Sequence, residues 1–237
     1  MKVSRALVIA NPGKPLAGMV KKQVESFLRE RGIAISTARP QLVVTVGGDG
    51  TVLFSKEYYG IPFFAIGSST SFICQAKFSD WHHRLPAAIR GLRVEKRLML
   101  QPSLNGRKLP PVLNEIGIRN PEPRVLSIHL QSGLRHFAFR ADGLLLSTPT
   151  GSPAYAYSCG GKEMGRAGMH AYQAVAISPF RRLFAPTFIP AGTTATIRIS
   201  GSERAQLFMD GQHFGAFTQK DTLRVRGGKR PFLFLKA

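Results

Sequence analysis

The chain has 237 residues, 43% of them hydrophobic, enough to bury one large core or two smaller ones. Its 33 Lys and Arg against 13 Asp and Glu give a formal charge of +20, which calls for anionic partners: nucleic acid, an anionic surface or phosphorylated ligands. No basic tail, basic helix stripe, helix-turn-helix, RNP or zinc-finger pattern is present, which argues against a dedicated nucleic-acid binder, and no apolar run approaches the roughly 20 residues of a membrane helix.

The N-terminal "MKVSRALVIANPGKP" has a short apolar core without a small-residue cleavage site and reads as a first strand, not a signal peptide. From Leu16 onward, Leu16, Met19, Val20, Val24, Phe27 and Leu28 follow helical spacing, and Gly32 closes the helix. "LVVTV" is a buried strand, "TVLFSKEYY" a helix and "IPFFAIG" a further strand, so the first part has β-α-β-α-β order and a parallel sheet. "SDWHHRLPAAIRGL" reads as a helix despite Pro86. Beyond it come short, often alternating strands: "VLNEIGIRN", "RVLSIHLQS", "RHFAFRA", "QAVAISP", "TTATIRIS", "AQLFMDG", "DTLRVRG" and "PFLFLKA", interrupted by one short helix near "SPAYAYS". The expected fold is an α/β N-terminal domain with a parallel sheet, residues 1–92, followed by an all-β, sandwich-like domain, residues 93–237.

Acids are scarce, so their positions are informative. Asp49, Glu115, Asp142 and Asp210 each sit in a compact motif: "GGDGT", "LNEIG", "RADG" and "MDGQ". In "GGDGT" the glycines permit positive φ and close approach to a bound group, and a helix start after a strand offers N–H groups to an anion. Neither the dinucleotide fingerprint nor the P-loop pattern is met, since Leu53 stands where the third glycine would be and no Gly-Lys-Ser/Thr follows. An aspartate there repels phosphate unless it holds a metal or takes a proton. The plain alternative is a tight turn with an incidental Asp. "ADGLLLSTPTGSPAYAYSCGG", residues 141–161, suits phosphate and ribose contacts with a tyrosine beside them to stack on a base, and serves equally as a structural loop. His82 and His83 beside Trp81 read as surface or packing residues, and Cys159 as a small packing residue. The two cysteines lie outside any metal-ligand spacing and fit a reducing, cytoplasmic location.

In order and spacing, "GGDGT", "LNEIGIRN", the 141–161 block and "FMDGQ" together resemble NAD kinases, the ATP- or polyphosphate-dependent enzymes that phosphorylate NAD to NADP. The resemblance implies that Asp49 accepts the proton of the adenosine 2′-hydroxyl, with Gly48, Gly50 and Thr51 forming the adjoining phosphate and NAD contact. It implies that Asn114 and Glu115 are the Asn-Glu pair of the NAD site and that Arg140 and Asp142 are the charged pair before the Thr-Pro-Thr-Gly turn. Pro153, Ala154, Tyr155 and Ser158 fall on the segment lining the adenine and ribose pocket, and Gln212 on a further NAD contact. Also implied are Mg²⁺ or another divalent cation, with no protein metal cage assigned, and a homodimer or homotetramer in which a neighbour completes the pocket. Two departures stand out: residues 67–78 replace a Gly-rich stretch, and Pro153 replaces a threonine, removing a hydroxyl and an N–H. A lipid kinase of the diacylglycerol type, sharing only "GGDGT", and a non-catalytic NAD-binding regulator are the alternatives.

Overall fold

The computed structural model describes residues 3–165 and 168–236. The chain forms two units, one running to Lys96 and resuming at Pro231, the other spanning Arg97–Arg230.

The first unit contains β1 (Arg5–Ala10), α1 (Pro15–Glu30), β2 (Ala34–Ile35), β3 (Leu42–Val46), α2 (Asp49–Phe54), β4 (Phe63–Gly67), β5 (Ala76–Lys77), α3 (Trp81–Gly91) and β6 (Val94–Arg97). Its sheet runs β2-β1-β3-β4, then the closing strand Phe232–Leu235 and β6, with β5 also on β4. The β1–β3 and β3–β4 pairs are parallel and in line, Ala10 opposite Val46 and Val46 opposite Ile66, so three loops leave the sheet from one carboxyl edge. In open parallel sheets that edge is where ligands bind. Both faces of the sheet are covered, which is why β3 and β4 are buried at every residue and read as unbroken apolar runs.

Helix α1 starts at Pro15, whose missing N–H costs nothing in a first turn, and buries Ala17, Val20, Val24 and Leu28. Leu16 and Met19, which the spacing had put on that face, are 50% and 62% exposed; Ala17, three residues before Val20 and seven before Val24, takes the inward place. Pro86 lies inside α3 and removes one helical hydrogen bond, but Trp81, Leu85 and Ala88 are buried and hold the helix to the unit. The closing strand was expected in the β half. It pairs instead in parallel with β4, and Phe232 packs on Phe63 with ring centroids 4.6 Å apart. An all-apolar "FLFL" suits a strand covered on both faces better than the edge of a half-exposed sheet.

The second unit is antiparallel: β7 (Leu100–Leu104), β8 (Arg107–Lys108), β9 (Glu115–Arg119), β10 (Leu126–Ser132), β11 (Arg135–Ser147), α4 (Tyr155–Ser158), β12 (Ala171–Pro179), β13 (Thr187–Pro190), β14 (Ala195–Ser200), β15 (Ala205–Met209), β16 (Gln212–Phe217) and β17 (Leu223–Gly227). Strand β11 organises it. Its first half pairs with β10 and its second half with β9 and β12, so one sheet divides at β11 into two branches. Ile116, Ile118 and Leu207 from one branch and Ile128, Ile197 and Val225 from the other lie in a single core, the sandwich-like arrangement that the alternating strands predict. Burial alternates along the first half of β11 and becomes continuous from Gly143 on, because Leu145 faces a second, smaller cluster with Ala156, Val175 and Ile177. That second face carries α4.

The two faces of α1 should separate by mutation. Leu28→Ala opens a cavity in a filled core and is expected to cost about 2–5 kcal/mol, whereas Met19→Ala should stay within about 0.5 kcal/mol. Urea unfolding of both variants checks the assignment, and equal effects would overturn it.

Candidate functional site

Each unit presents its own cluster of polar groups. In the first, loops 11–14, 47–51 and 68–74 leave the carboxyl ends of β1, β3 and β4. They are knitted by the N–H of Asn11 on the Val46 carbonyl and that of Gly47 on the Ile66 carbonyl, both 2.9 Å. Gly47 and Gly48 turn the chain at φ 148° and 121°. A Cβ on Gly47 would stand 2.6 Å from Asn11 Cβ and from Thr51 Oγ1, so only glycine lets the two loops meet.

This bend delivers Asp49 to the first position of α2, with its carboxylate turned toward loop 68–74. Oδ2 accepts the Phe72 N–H at 2.7 Å, and Oδ1 accepts the Ile73 N–H at 2.9 Å and the Cys74 thiol at 3.5 Å. The sequence had marked residues 67–78 as a departure; they are what holds Asp49. Burial first, then the Asp49 charge, push the Cys74 thiol from 9.0 up to about 12, so it stays a proton donor across the neutral range. Lys14 Nζ donates to the Gly47 carbonyl at 2.8 Å. The Thr51 hydroxyl is buried against Gly47 without a hydrogen-bond partner. Gly50 opens into free space and makes no close approach. Helix α2 has only six residues, too short to supply the anion-binding helix start that the sequence suggested.

In the second unit, Asp210 ties the cluster together from a positive-φ turn at φ 48°. Its carboxylate accepts the N–H of Asn114 at 2.7 Å and that of Leu113 at 3.2 Å. The Thr-Pro-Thr-Gly turn packs on the same strand entry: the Thr148 N–H donates to the Asn114 carbonyl at 2.9 Å. A Cβ on Gly151 would lie 2.4 Å from that carbonyl oxygen. Asn114 Oδ1 and Thr150 Oγ1 are left buried without a partner. Thr150 went unnamed among the sequence candidates; the orphaned hydroxyl is the signal that singles it out.

Beside this turn lies a cavity of about 420 Å³ lined by Glu115, Arg119, Tyr155, Gln206, Phe208 and His213, with Gly211 at its rim. Tyr155 and Phe208 meet with ring centroids 6.1 Å apart. Burial pushes the Tyr155 phenol up, with the Cys159 thiol adding to it, against a hydrogen bond from Arg119. Glu115 and Tyr155 are therefore brought to one cavity, and Gln212 sits between two of its lining positions. Pro153 and Ala154 lead into α4, where Ala154 is the N-cap and the Ala154 N–H bonds the Gly151 carbonyl at 2.9 Å. Pro153 thus falls outside the helix, where its missing N–H leaves the helical bonds intact. Ser158 ends α4, exposed. Arg140 and Asp142 do not line the cavity. Arg140 lies over the Phe180 ring at 5.4 Å, and the Asp142 carbonyl accepts the Asn120 N–H. Arg119, Gln206, Phe208 and His213 escaped the sequence reading because they come from three different strands, β9, β15 and β16, and meet only through strand register.

Residues 113–237 match the family model of the ATP-NAD kinase C-terminal domain. An NAD kinase of Methanoculleus marisnigri is 32% identical over 215 residues, covering 89% of this chain and 79% of that protein. Among solved structures, the yeast NADH kinase complexed with NADH aligns with a TM-score of 0.88 at 18% identity, over 100% of this chain and 84% of that one. An NAD kinase from Archaeoglobus fulgidus in complex with ATP aligns at 0.82 and 23% identity, over 98% and 93%. At these identities the likeness to the solved structures is one of fold: a parallel N-terminal sheet and a curled antiparallel C-terminal one.

The Cys74 geometry sets a pH dependence. With its pKa raised on folding, the native chain keeps a proton that the unfolded chain loses, so stability is full below about pH 9 and falls as pH rises toward about 12. Denaturation midpoints at about pH 8 and about pH 10 should show a larger alkaline loss in the wild type than in Cys74→Ala. Equal slopes would remove Cys74 from the buried contact with Asp49.

Proposed function

The chain belongs to the NAD kinase family, and from that premise we propose that it transfers the terminal phosphoryl group of ATP to the 2′-hydroxyl of the adenosine ribose of NAD. The observation that carries the proposal is Asp49: a carboxylate on the carboxyl edge of a parallel sheet, fixed by the Phe72 and Ile73 N–H groups at the glycine bend. Phosphoryl transfer asks a protein mainly for positioning and for charge at the right place. In the proposed reaction the 2′-oxygen bonds to the terminal phosphorus, the bond from that phosphorus to the bridging oxygen of ATP breaks, and ADP leaves. The hydroxyl proton passes to Asp49, which first orients the hydroxyl by accepting its hydrogen bond. Gly48, Gly50 and Thr51 would border the reacting phosphate.

The NAD side falls to the second unit. Asn114 Oδ1 and Thr150 Oγ1, buried without partners, are acceptors and donors that a ribose or adenine would satisfy. Tyr155 would lie against the adenine, with Glu115, Ala154, Ser158 and Gln212 around the nucleoside. Arg140 and Asp142, away from the cavity, suit a role in a neighbour's pocket within a homodimer or homotetramer. Among the described residues no group of three or more His, Cys, Asp or Glu side chains converges on a metal. A divalent cation such as Mg²⁺, carried on the donor's phosphates, would neutralise their charge. Polyphosphate is the second candidate donor, supported by the charge of +20 alone. No helix of the described residues is long and apolar enough to cross a membrane, and two free cysteines accord with the cytoplasm as the place of action. The lipid-kinase reading rested on "GGDGT", whereas the family match lies in residues 113–237 and leaves that reading without support.

Incubation with NAD, Mg²⁺ and each donor in turn should give NADP with ATP; none with any donor would sink the proposal. Asp49→Asn should lower kcat by about 10²–10⁴-fold while calorimetry shows NAD affinity kept within several-fold. An amide cannot accept both the Phe72 and Ile73 N–H groups, so the Tm should fall as well. Turnover near the wild type would leave Asp49 as a loop-holding carboxylate only. Tyr155→Ala should raise the KM for NAD roughly tenfold; an unchanged KM in a folded variant would put the ring in the packing instead.

A further inference from the structure

Lys14 has no part in the roles assigned so far, yet it stands at the same bend. It caps the N-terminus of α1, and its side chain crosses from loop 11–14 to loop 47–51, where Nζ donates to the Gly47 carbonyl at 2.8 Å. An ammonium has three donors, and the Gly47 carbonyl takes one. Among the described residues no carboxylate lies within ion-pairing distance of it. The space beside Gly48 shows where the remaining donors can reach: a Cβ built there would lie 3.8 Å from Lys14 Nζ and 3.1 Å from Ser71 Oγ. Lys14 and Ser71 therefore flank the position beside Gly48 that a side chain would fill. Ser71 Oγ lies 3.4 Å from Ser68 Oγ, which in turn lies 2.9 Å from Thr70 Oγ1, so three linked hydroxyls follow one another along that loop. The buried Thr51 hydroxyl, without a partner, borders the same bend. The field of Lys14 is felt at Cys74, whose sulfur touches Asp49.

The arrangement meets a difficulty that the bare motif leaves open. A carboxylate repels a phosphate brought next to it, and the six-residue α2 has too small a dipole to offset this. A cation beside Gly48 offsets it directly. We infer that Lys14 is the residue that binds the phosphate chain of the donor, with the hydroxyls of Ser71 and Thr51 as its partners. The recognised chemistry is a condensed phosphate, whether the tail of a nucleoside triphosphate or inorganic polyphosphate. The inference deepens the kinase proposal and rests on it for the word donor, but the binding it describes is measurable without any turnover.

The test uses the full chain and inorganic tripolyphosphate, with ATP in a second arm. Lys14→Gln keeps an N–H for the Gly47 carbonyl and removes the charge; Lys14→Met removes both; Lys14→Arg restores charge. Lys22→Gln, on the exposed face of α1, controls for bulk charge. By calorimetry, Lys14→Gln and Lys14→Met should lose tenfold or more in tripolyphosphate affinity, while Lys14→Arg and Lys22→Gln stay within severalfold. In the NADP assay the KM for ATP should rise in Lys14→Gln with the KM for NAD unchanged. Wild-type affinity in Lys14→Gln, an equal loss in Lys22→Gln, or failure of both Gln and Met variants to fold would each overturn the inference, the last by making Lys14 a structural tie. If tripolyphosphate binds through Lys14 but no NADP forms, the kinase proposal falls and the phosphate site stands. If NADP forms in Lys14→Gln with an unchanged KM for ATP, the reverse holds.

Discussion

The carboxylate of Asp49 accepts two consecutive backbone N–H groups, those of Phe72 and Ile73, and the carboxyl edge of the first sheet takes its shape from that pair of bonds. A loop such as 68–74 has no strand partner to satisfy its donors, and at buried Ile73 an N–H without an acceptor costs about 1–3 kcal/mol. One charged acceptor satisfies two of them and pins the loop to the bend of the neighbouring one. The bend in turn exists because Gly47 tolerates both its φ and the closeness of Asn11 and Thr51. Remove the carboxylate and the loop that carries Ser71 loses its anchor, so positioning and chemistry at this edge share one residue.

The second unit repeats the device. Asp210 accepts the N–H groups of Leu113 and Asn114, again two in succession, and again from a glycine-flanked turn. Here the carboxylate supports the site and does not enter it: the bonds fix the entry to β9, and with it Asn114 and Glu115. The Thr-Pro-Thr-Gly turn then closes on Asn114 through a glycine that could carry no side chain. So the four acids that the sequence grouped together divide by task. Glu115 faces the cavity, Asp210 braces it, and Asp142 stands apart on β11.

The parallel β-α-β order was legible because β3 and β4 are buried on both faces and announce themselves as unbroken apolar runs. The antiparallel half was legible from alternation, but the change to continuous burial along β11 was not, since it depends on the second cluster that Leu145 meets. The place of "PFLFLKA" was not legible, since no local pattern says which sheet a terminal strand will join; its doubly buried "FLFL" explains the choice only afterward. Leu16 and Met19 illustrate a smaller miss of the same kind. Both fit the helical period, but the buried face runs through Ala17, Val20, Val24 and Leu28, and an alanine carries too little apolar signal to mark it in the sequence. At the candidate sites, residues in contiguous motifs could be named in advance. Those that meet across strands, Arg119, Gln206, Phe208 and His213, could not, because their proximity is set by register alone.

The loop at residues 68–74 shows why a departure from a motif need not be a defect. Glycines in such a stretch give the backbone freedom to offer its N–H groups; here the Ser68 hydroxyl bonds those of Thr70 and Ser71, and the Cys74 thiol bonds Asp49. Serine hydroxyls add donors that glycine lacks, and a Cys74 thiol kept protonated by burial adds another. The bend thereby collects two N–H donors and one S–H donor around a single carboxylate, with hydroxyls on the loop beside it. Such a surrounding favours negative charge at the bend, whether it belongs to Asp49 or to a bound group. With 13 acids against 33 bases in the whole chain, a bulk positive field adds little selectivity for any one spot. What distinguishes this edge is the local order of its donors, and that order follows from two glycines and one aspartate in sequence.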